Sequence, residues 1–139
     1  MNAAWEKSVS PDLDAITACM DECSQFLAES GVPDEAAFSA QLAIEEILTN
    51  TLKYGFGNEA PRPTIVHIEC GEDHLQLTLS DDAHPFDPFS APAPDLSLPV
   101  EERSVGGLGI HLVRNMMTSC TYSRDVGRNV VRLVKKWDA

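Results

Sequence analysis

Three short segments fall in order along this chain of 139 residues: Glu46-Ile-Leu-Thr-Asn50, Asp81-Asp-Ala83 and Gly106-Gly-Leu-Gly-Ile110. Any fold that uses them together must bring one helix face, one strand end and one helix start to a common place. Glu46 and Asn50, four residues apart, share a helix face. Asp81 ends an alternating, strand-like run. Glycines that open a helix offer bare N–H groups and a dipole to phosphates. Each segment alone is weak evidence. In this order, with five prolines between Pro85 and Val105 ahead of the last, they describe a site for magnesium and a nucleoside triphosphate.

The surrounding pattern predicts elements that could carry such a site. Ser10-Pro11-Asp12 reads as a helix start, with Ser10 as cap and Pro11 in the first helical position. Leu13, Ile16, Met20, Cys23 and Leu27 then recur at helical spacing over roughly 12–30. Gly31 stops that helix, and Pro33-Asp34-Glu35 begins a second. There Ala37, Ala40, Ile44, Ile47, Leu48 and Thr51 form the apolar stripe, while Leu42, Glu46, Asn50 and Lys53 form another, off the core side. Thr64–Cys70 and His74–Ser80 read as a hairpin around Gly71-Glu72-Asp73. Leu75, Leu77 and Leu79 alternate inward, and Asp81 continues their parity, so Asp81 and not Asp82 should point to the buried side.

The stretch from Pro85 to Val105 has no sustained periodicity, and its length in a small domain suits a functional loop. A helix over about 107–119 follows, with Leu108, Leu112, Val113, Met116 and Met117 inward. Strands near 120–125 and 128–136 turn at Val126-Gly127-Arg128. The expected architecture is α/β (α+β) in two layers, helices on one face of a mainly antiparallel or mixed sheet, in one domain over residues 1–139.

Each candidate has an ordinary reading beside the functional one. Glu46 and Asn50 also suit a plain exposed helix; as a site, the Asn50 carbonyl is a hard oxygen ligand for magnesium, and Glu46 is an ionised proton acceptor one turn earlier. Asp81 could begin a turn, or its inward carboxylate could take a hydrogen bond from an adenine amine, since an unpaired buried acid is costly. Three glycines could merely loosen a helix entry, but each costs about 1 kcal/mol against alanine inside a helix. Close backbone approach to a ligand explains them better. His84 could line the site or sit in solvent. Cys19, Cys23, Cys70 and Cys120 show no metal-ligand spacing, and Cys19 and Cys23, one turn apart, read as buried thiols that could meet.

Charge limits the partners. The net charge is −12, with −9 carried by residues 1–60 and −3 by the rest. That leaves no positive footprint for non-specific nucleic-acid binding. It suits a solvated surface, or a docking face for a basic protein. No apolar run approaches a membrane span and no signal pattern opens the chain, so the expected location is cytoplasmic.

Ala43–Asn50, Leu79–Pro88 and Gly106–Val113 resemble the three nucleotide-binding boxes of the Bergerat-fold ATPases, the group related to gyrase and the histidine kinases. The length, the Pro85-Phe86-Asp87-Pro88 sequence and the short lid at about 85–105 are most similar to the anti-sigma-factor serine kinases of bacterial partner-switching systems. The resemblance implies a Bergerat ATP-binding fold and a serine/threonine protein kinase using ATP and Mg²⁺. It assigns magnesium to Asn50, the adenine amine to Asp81, phosphates to Gly106, Gly107 and Gly109, and the general base to Glu46. Arg103, in Glu102-Arg103-Ser104, would contact the terminal phosphate, and Lys53, Ala83, Leu108, Ile110 and Asn129 complete the nucleotide-binding set.

The implied partners are a sigma factor and a small antagonist protein, with a homodimer possible. A nucleotide-dependent switch without transfer and a detached histidine-kinase-like domain are the alternatives. Three positions depart from the family pattern: Ala83 for a usual glycine, Lys53-Tyr54 for a frequent histidine-containing pair, and Asn129 near the place of a threonine that supports adenine.

Overall fold

The computed structural model describes residues 2–90 and 107–138. Strand β1 (Ala3–Val9) is followed by helices α1 (Leu13–Glu29) and α2 (Asp34–Tyr54), the hairpin β2 (Thr64–Cys70) and β3 (His74–Asp81), helix α3 (Gly107–Met116), and strands β4 (Ser119–Asp125) and β5 (Arg128–Lys136). The sheet order is β1-β2-β3-β5-β4, and every neighbouring pair is antiparallel. The two-layer expectation holds, with the mixed option resolved to a wholly antiparallel sheet.

Period-two alternation makes one sheet face apolar, and the helices cover it. Leu75, Leu77 and Leu79 of β3 are buried between Val66 and Ile68 of β2 and Val131 and Leu133 of β5. Above them lie Cys19, Cys23 and Leu27 of α1 and Ile44, Ile47 and Leu48 of α2. Each fully buried leucine contributes about 1.5–3 kcal/mol against an exposed one. A slip of one residue between β3 and β5 would turn this whole set outward, so the register is strongly held. That register sets Leu77 opposite Leu133, Leu79 opposite Val131, and Asp81 opposite Asn129.

Four local expectations change. The N-terminal strand β1 was not anticipated: Trp5, Lys7 and Val9 lie on its helix-facing side, and an inward lysine breaks the apolar alternation. Lys7 is accommodated by an ion pair with Glu22 of α1, and the Trp5 ring lies 6.4 Å from that of Phe26. Helix α1 is capped by Asp12, not Ser10; Asp12 is extended (φ −147°) and its Oδ1 accepts from the Ala15 N–H at 2.8 Å.

On α2, Ala36, Ser39 and Ala43 join the buried set, whereas Ala37 and Thr51 are only partly covered. On α3, Leu108 and Leu112 are 41% and 43% exposed; Val113, and Met117 just past the helix, face the core as expected, and Ile110 joins them in place of the two leucines. The helix turns its Gly109 side toward α2, which fixes the other stripe outward. Cys19 and Cys23 do meet, as buried free thiols with sulfurs 3.9 Å apart. No helix among the described residues is long and apolar enough to cross a membrane.

Candidate nucleotide site

The second half of α2 supplies one wall. Its core stripe of Ile44, Ile47 and Leu48 pins the helix and leaves Glu46 and Asn50 half-buried on its flank. Asn50 lines a cleft with Ile47, Thr51, Asp81, Phe86 and Asn129. Its side-chain amide makes no hydrogen bond to the described residues, so its oxygen is available as a hard ligand. Among the described residues there is no group of three or more His, Cys, Asp or Glu that could hold a metal ion. Magnesium takes few protein ligands and completes its shell with phosphate oxygens and water, so a single amide oxygen such as that of Asn50 is a suitable ligand type.

Glu46 sits where α2 meets the start of α3. A Cβ placed on Gly109 would fall within the Glu46 carboxylate, against Cδ and both oxygens. The third glycine of the motif is thus the space into which the Glu46 carboxylate fits. Burial raises the Glu46 pKa above the ordinary carboxylate value, repulsion from Glu45 adds to this, and Lys53 opposes it. A carboxyl group moved upward in this way is a better proton acceptor once ionised.

The end of β3 supplies the floor. Asp81 is 5% exposed, on the inward parity its sequence position predicts. Its Oδ1 accepts from the Ala83 N–H at 3.0 Å and from the Asn129 side-chain amide at 2.9 Å. Among the described residues neither of these hydrogen bonds uses Oδ2. A donor lying in the cleft can therefore still be received.

The segment after Asp81 is braced from several directions. The Asp82 carboxylate accepts from Arg62 Nε at 2.9 and 3.0 Å, and Arg62 also lies 5.0 Å over the Phe56 ring. The Ala83 methyl, at the family's usual glycine position, fits because residue 55 is glycine: a Cβ on Gly55 would come 3.0 Å from it. The His84 N–H donates to the Gly55 carbonyl at 3.0 Å, and His84 Nε2 lies 2.9 Å from Glu59. His84 lines the cleft with a largely solvated ring. Phe86 and Pro88 close the outer side. The cleft volume is about 20 Å³, little more than one water.

Asn129 is 4% exposed and saturated by protein groups. Its amide nitrogen donates to Asp81 Oδ1 and to the His84 carbonyl, both at 2.9 Å. Its oxygen accepts from Tyr122 Oη at 2.6 Å, Arg124 Nη1 at 3.1 Å and the Phe86 N–H at 3.2 Å. Arg124 also donates to the Ala83 carbonyl at 2.8 Å. Tyr122, Arg124, Arg62 and Gly55 carry no local sequence signal; only tertiary pairing reveals them.

The sequence-derived residues therefore divide. Asn50, Asp81, Ala83 and Asn129 meet around one cleft, and Glu46, one turn before Asn50, packs on Gly109. Gly107 opens α3. Ile110 is a core residue, and Leu108 and Lys53 are exposed. Arg103, Gly106 and the 91–105 part of the expected lid lie outside the described residues.

Comparison with known proteins shows the family and the fold. Residues 9–135 match the histidine kinase-like ATPase domain family. Over 120 residues the chain is 29% identical to the serine-protein kinase RsbW of Listeria monocytogenes, covering 76% of this chain and 73% of that protein. It is 26% identical over 98 residues to the serine/threonine-protein kinase BtrW of Bordetella bronchiseptica, covering 69% and 68% respectively. The solved structure of the RsbU and RsbW domains of Rv1364c from Mycobacterium tuberculosis superposes with a TM-score of 0.67 at 12% identity. That match covers 96% of this chain but spans about a third of the solved one, 32%, and shows the fold alone.

Proposed function

Because the chain belongs to the histidine kinase-like ATPase domain family, we propose that it is an ATP- and Mg²⁺-dependent serine/threonine protein kinase of the anti-sigma type. It phosphorylates a serine on a small antagonist protein and holds a sigma factor when that antagonist is absent. The supporting observation is that Asn50 of α2 and Asp81 at the β3 end, far apart in sequence, line one cleft, while the start of α3 packs by Gly109 on Glu46, one helical turn before Asn50. The relatives named as serine-protein kinases support the acceptor class.

In this reading Asp81 Oδ2 accepts from the adenine amine, and the N–H groups opening α3 at Gly107 and Gly109, with Gly106 before them, face the phosphates. Asn50 holds the magnesium ion, which when bound neutralises phosphate charge. Arg103, in a lid at about 85–105, meets the terminal phosphate. Glu46 takes the proton of the incoming serine hydroxyl as its oxygen bonds to the γ-phosphorus and the bond to ADP breaks. The protein contributes mainly positioning and charge placement.

Incubation with γ-labelled ATP, Mg²⁺ and candidate small antagonist proteins tests this. Label on an antagonist serine, with one ADP formed per phosphoserine, is the expected result. ATP-dependent partner binding with no label moving to any protein would replace the kinase by a pure nucleotide switch.

A further inference from the structure

The polar end of the sheet is one connected row. Arg124 of β4 lies opposite Asn129 of β5, and Asn129 lies opposite Asp81 of β3. Tyr122, opposite Val131, reaches back to the same Asn129 oxygen. Three donors on that oxygen leave the amide only one satisfactory orientation, nitrogen toward Asp81. With two N–H groups already on Oδ1, Asp81 has Oδ2 left outside these two bonds as an acceptor.

We propose that Asn129, oriented by Tyr122 and Arg124, is a positioning residue that sets which nucleobase the cleft accepts. The inference rests on the reading of Asp81 as the carboxylate that meets the base. A purine presenting an amine at its six-position finds an acceptor there. A purine presenting a carbonyl, as hypoxanthine and guanine do, meets oxygen against oxygen. The saturated state of Asn129 gives it no spare group for the base, so it acts through Asp81.

Two substitutions separate this role from mere support of the fold. Asn129→Asp removes the donor and sets a second carboxylate beside Asp81. Two such groups at hydrogen-bond distance hold one proton between them, which takes negative charge from Asp81 and weakens its hold on a purine amine. Tyr122→Phe keeps the ring and removes one hydroxyl, so it guards against a variant that fails to fold.

The measurement is the Kd of ATP and of inosine triphosphate for the wild type, both variants and Asp81→Asn. Asn129→Asp should lower the ATP-to-inosine-triphosphate preference by about tenfold or more. Tyr122→Phe should weaken ATP about threefold to tenfold and narrow the same preference. Equal weakening of both nucleotides in both variants overturns the proposal and leaves Asn129 as a structural residue. If the wild type itself prefers neither nucleotide, or Asp81→Asn leaves the preference intact, the reading of Asp81 has failed and this inference with it. If Asp81→Asn abolishes the preference while Asn129→Asp keeps it, only the role of Asn129 is lost.

Discussion

Replacing Glu46 by Gln should slow phosphoryl transfer by roughly 10²–10⁴-fold, the usual size of general-base catalysis, and leave most ATP affinity in place. Gln keeps the shape that fills the space over Gly109 and removes the charge. The pH profile should change with it. A carboxyl group whose pKa is raised by burial must lose its proton to act, so wild-type transfer should climb as pH rises through that raised value. The variant's profile should lack this limb.

Stability moves the other way. In the folded state the ionised form is disfavoured, so the wild type bears no penalty below the ordinary carboxylate range. The penalty grows as pH rises through that range and is complete above the raised pKa. Because Glu46 is only partly buried, solvent screening keeps this penalty small. Denaturation of both proteins at acidic and neutral pH should therefore show a small gain for Glu46→Gln at neutral pH alone. Unchanged transfer in the variant would return Glu46 to the status of a helix-surface residue.

Gly109→Ala should cost nearly as much transfer without unfolding the protein. Alanine is the better helix former by about 1 kcal/mol, and its methyl displaces only the end of the flexible Glu46 side chain. The fold should survive while the carboxylate leaves its place. Since both substitutions disable the same group, their effects should not add: the double variant Glu46→Gln with Gly109→Ala should be little slower than Glu46→Gln alone. If Gly109 serves only to let phosphates approach the backbone, ATP affinity and transfer fall together and the second substitution adds an independent loss. Steady-state transfer and ATP affinity for the four proteins of the cycle decide between these.

What the sequence discloses here is what short-range periodicity controls. The Ala40, Ile44, Ile47 and Leu48 part of the α2 stripe, the β2–β3 hairpin and the inward parity of Asp81 follow from spacing alone, and the core confirms them. The strand β1 escaped because its core-facing side carries Lys7, whose inward position depends on Glu22, fifteen residues away. On α3 Leu108 and Leu112 compete with Ile110 for the inward face that Val113 holds. Hydrophobicity cannot choose between them; the approach of Gly109 to Glu46 does. Likewise the methyl of Ala83 looks like an obstruction until Gly55 is found beneath it. Asn129 looked like a substitute for a base-contacting side chain. Its saturation by Asp81, Tyr122, Arg124 and Phe86 is visible only once β3, β4 and β5 are side by side.

The most direct test of the account is a calorimetric titration of the protein with ATP, in Mg²⁺ and again with the metal chelated, for the wild type, Asp81→Asn and Asn50→Ala. The account predicts one site per chain. Binding should weaken on chelation and in Asp81→Asn, where a charge-assisted hydrogen bond becomes a neutral one, and Asn50→Ala should lose most of the metal dependence. Absence of ATP binding by the wild type, or binding that neither substitution alters, would contradict it.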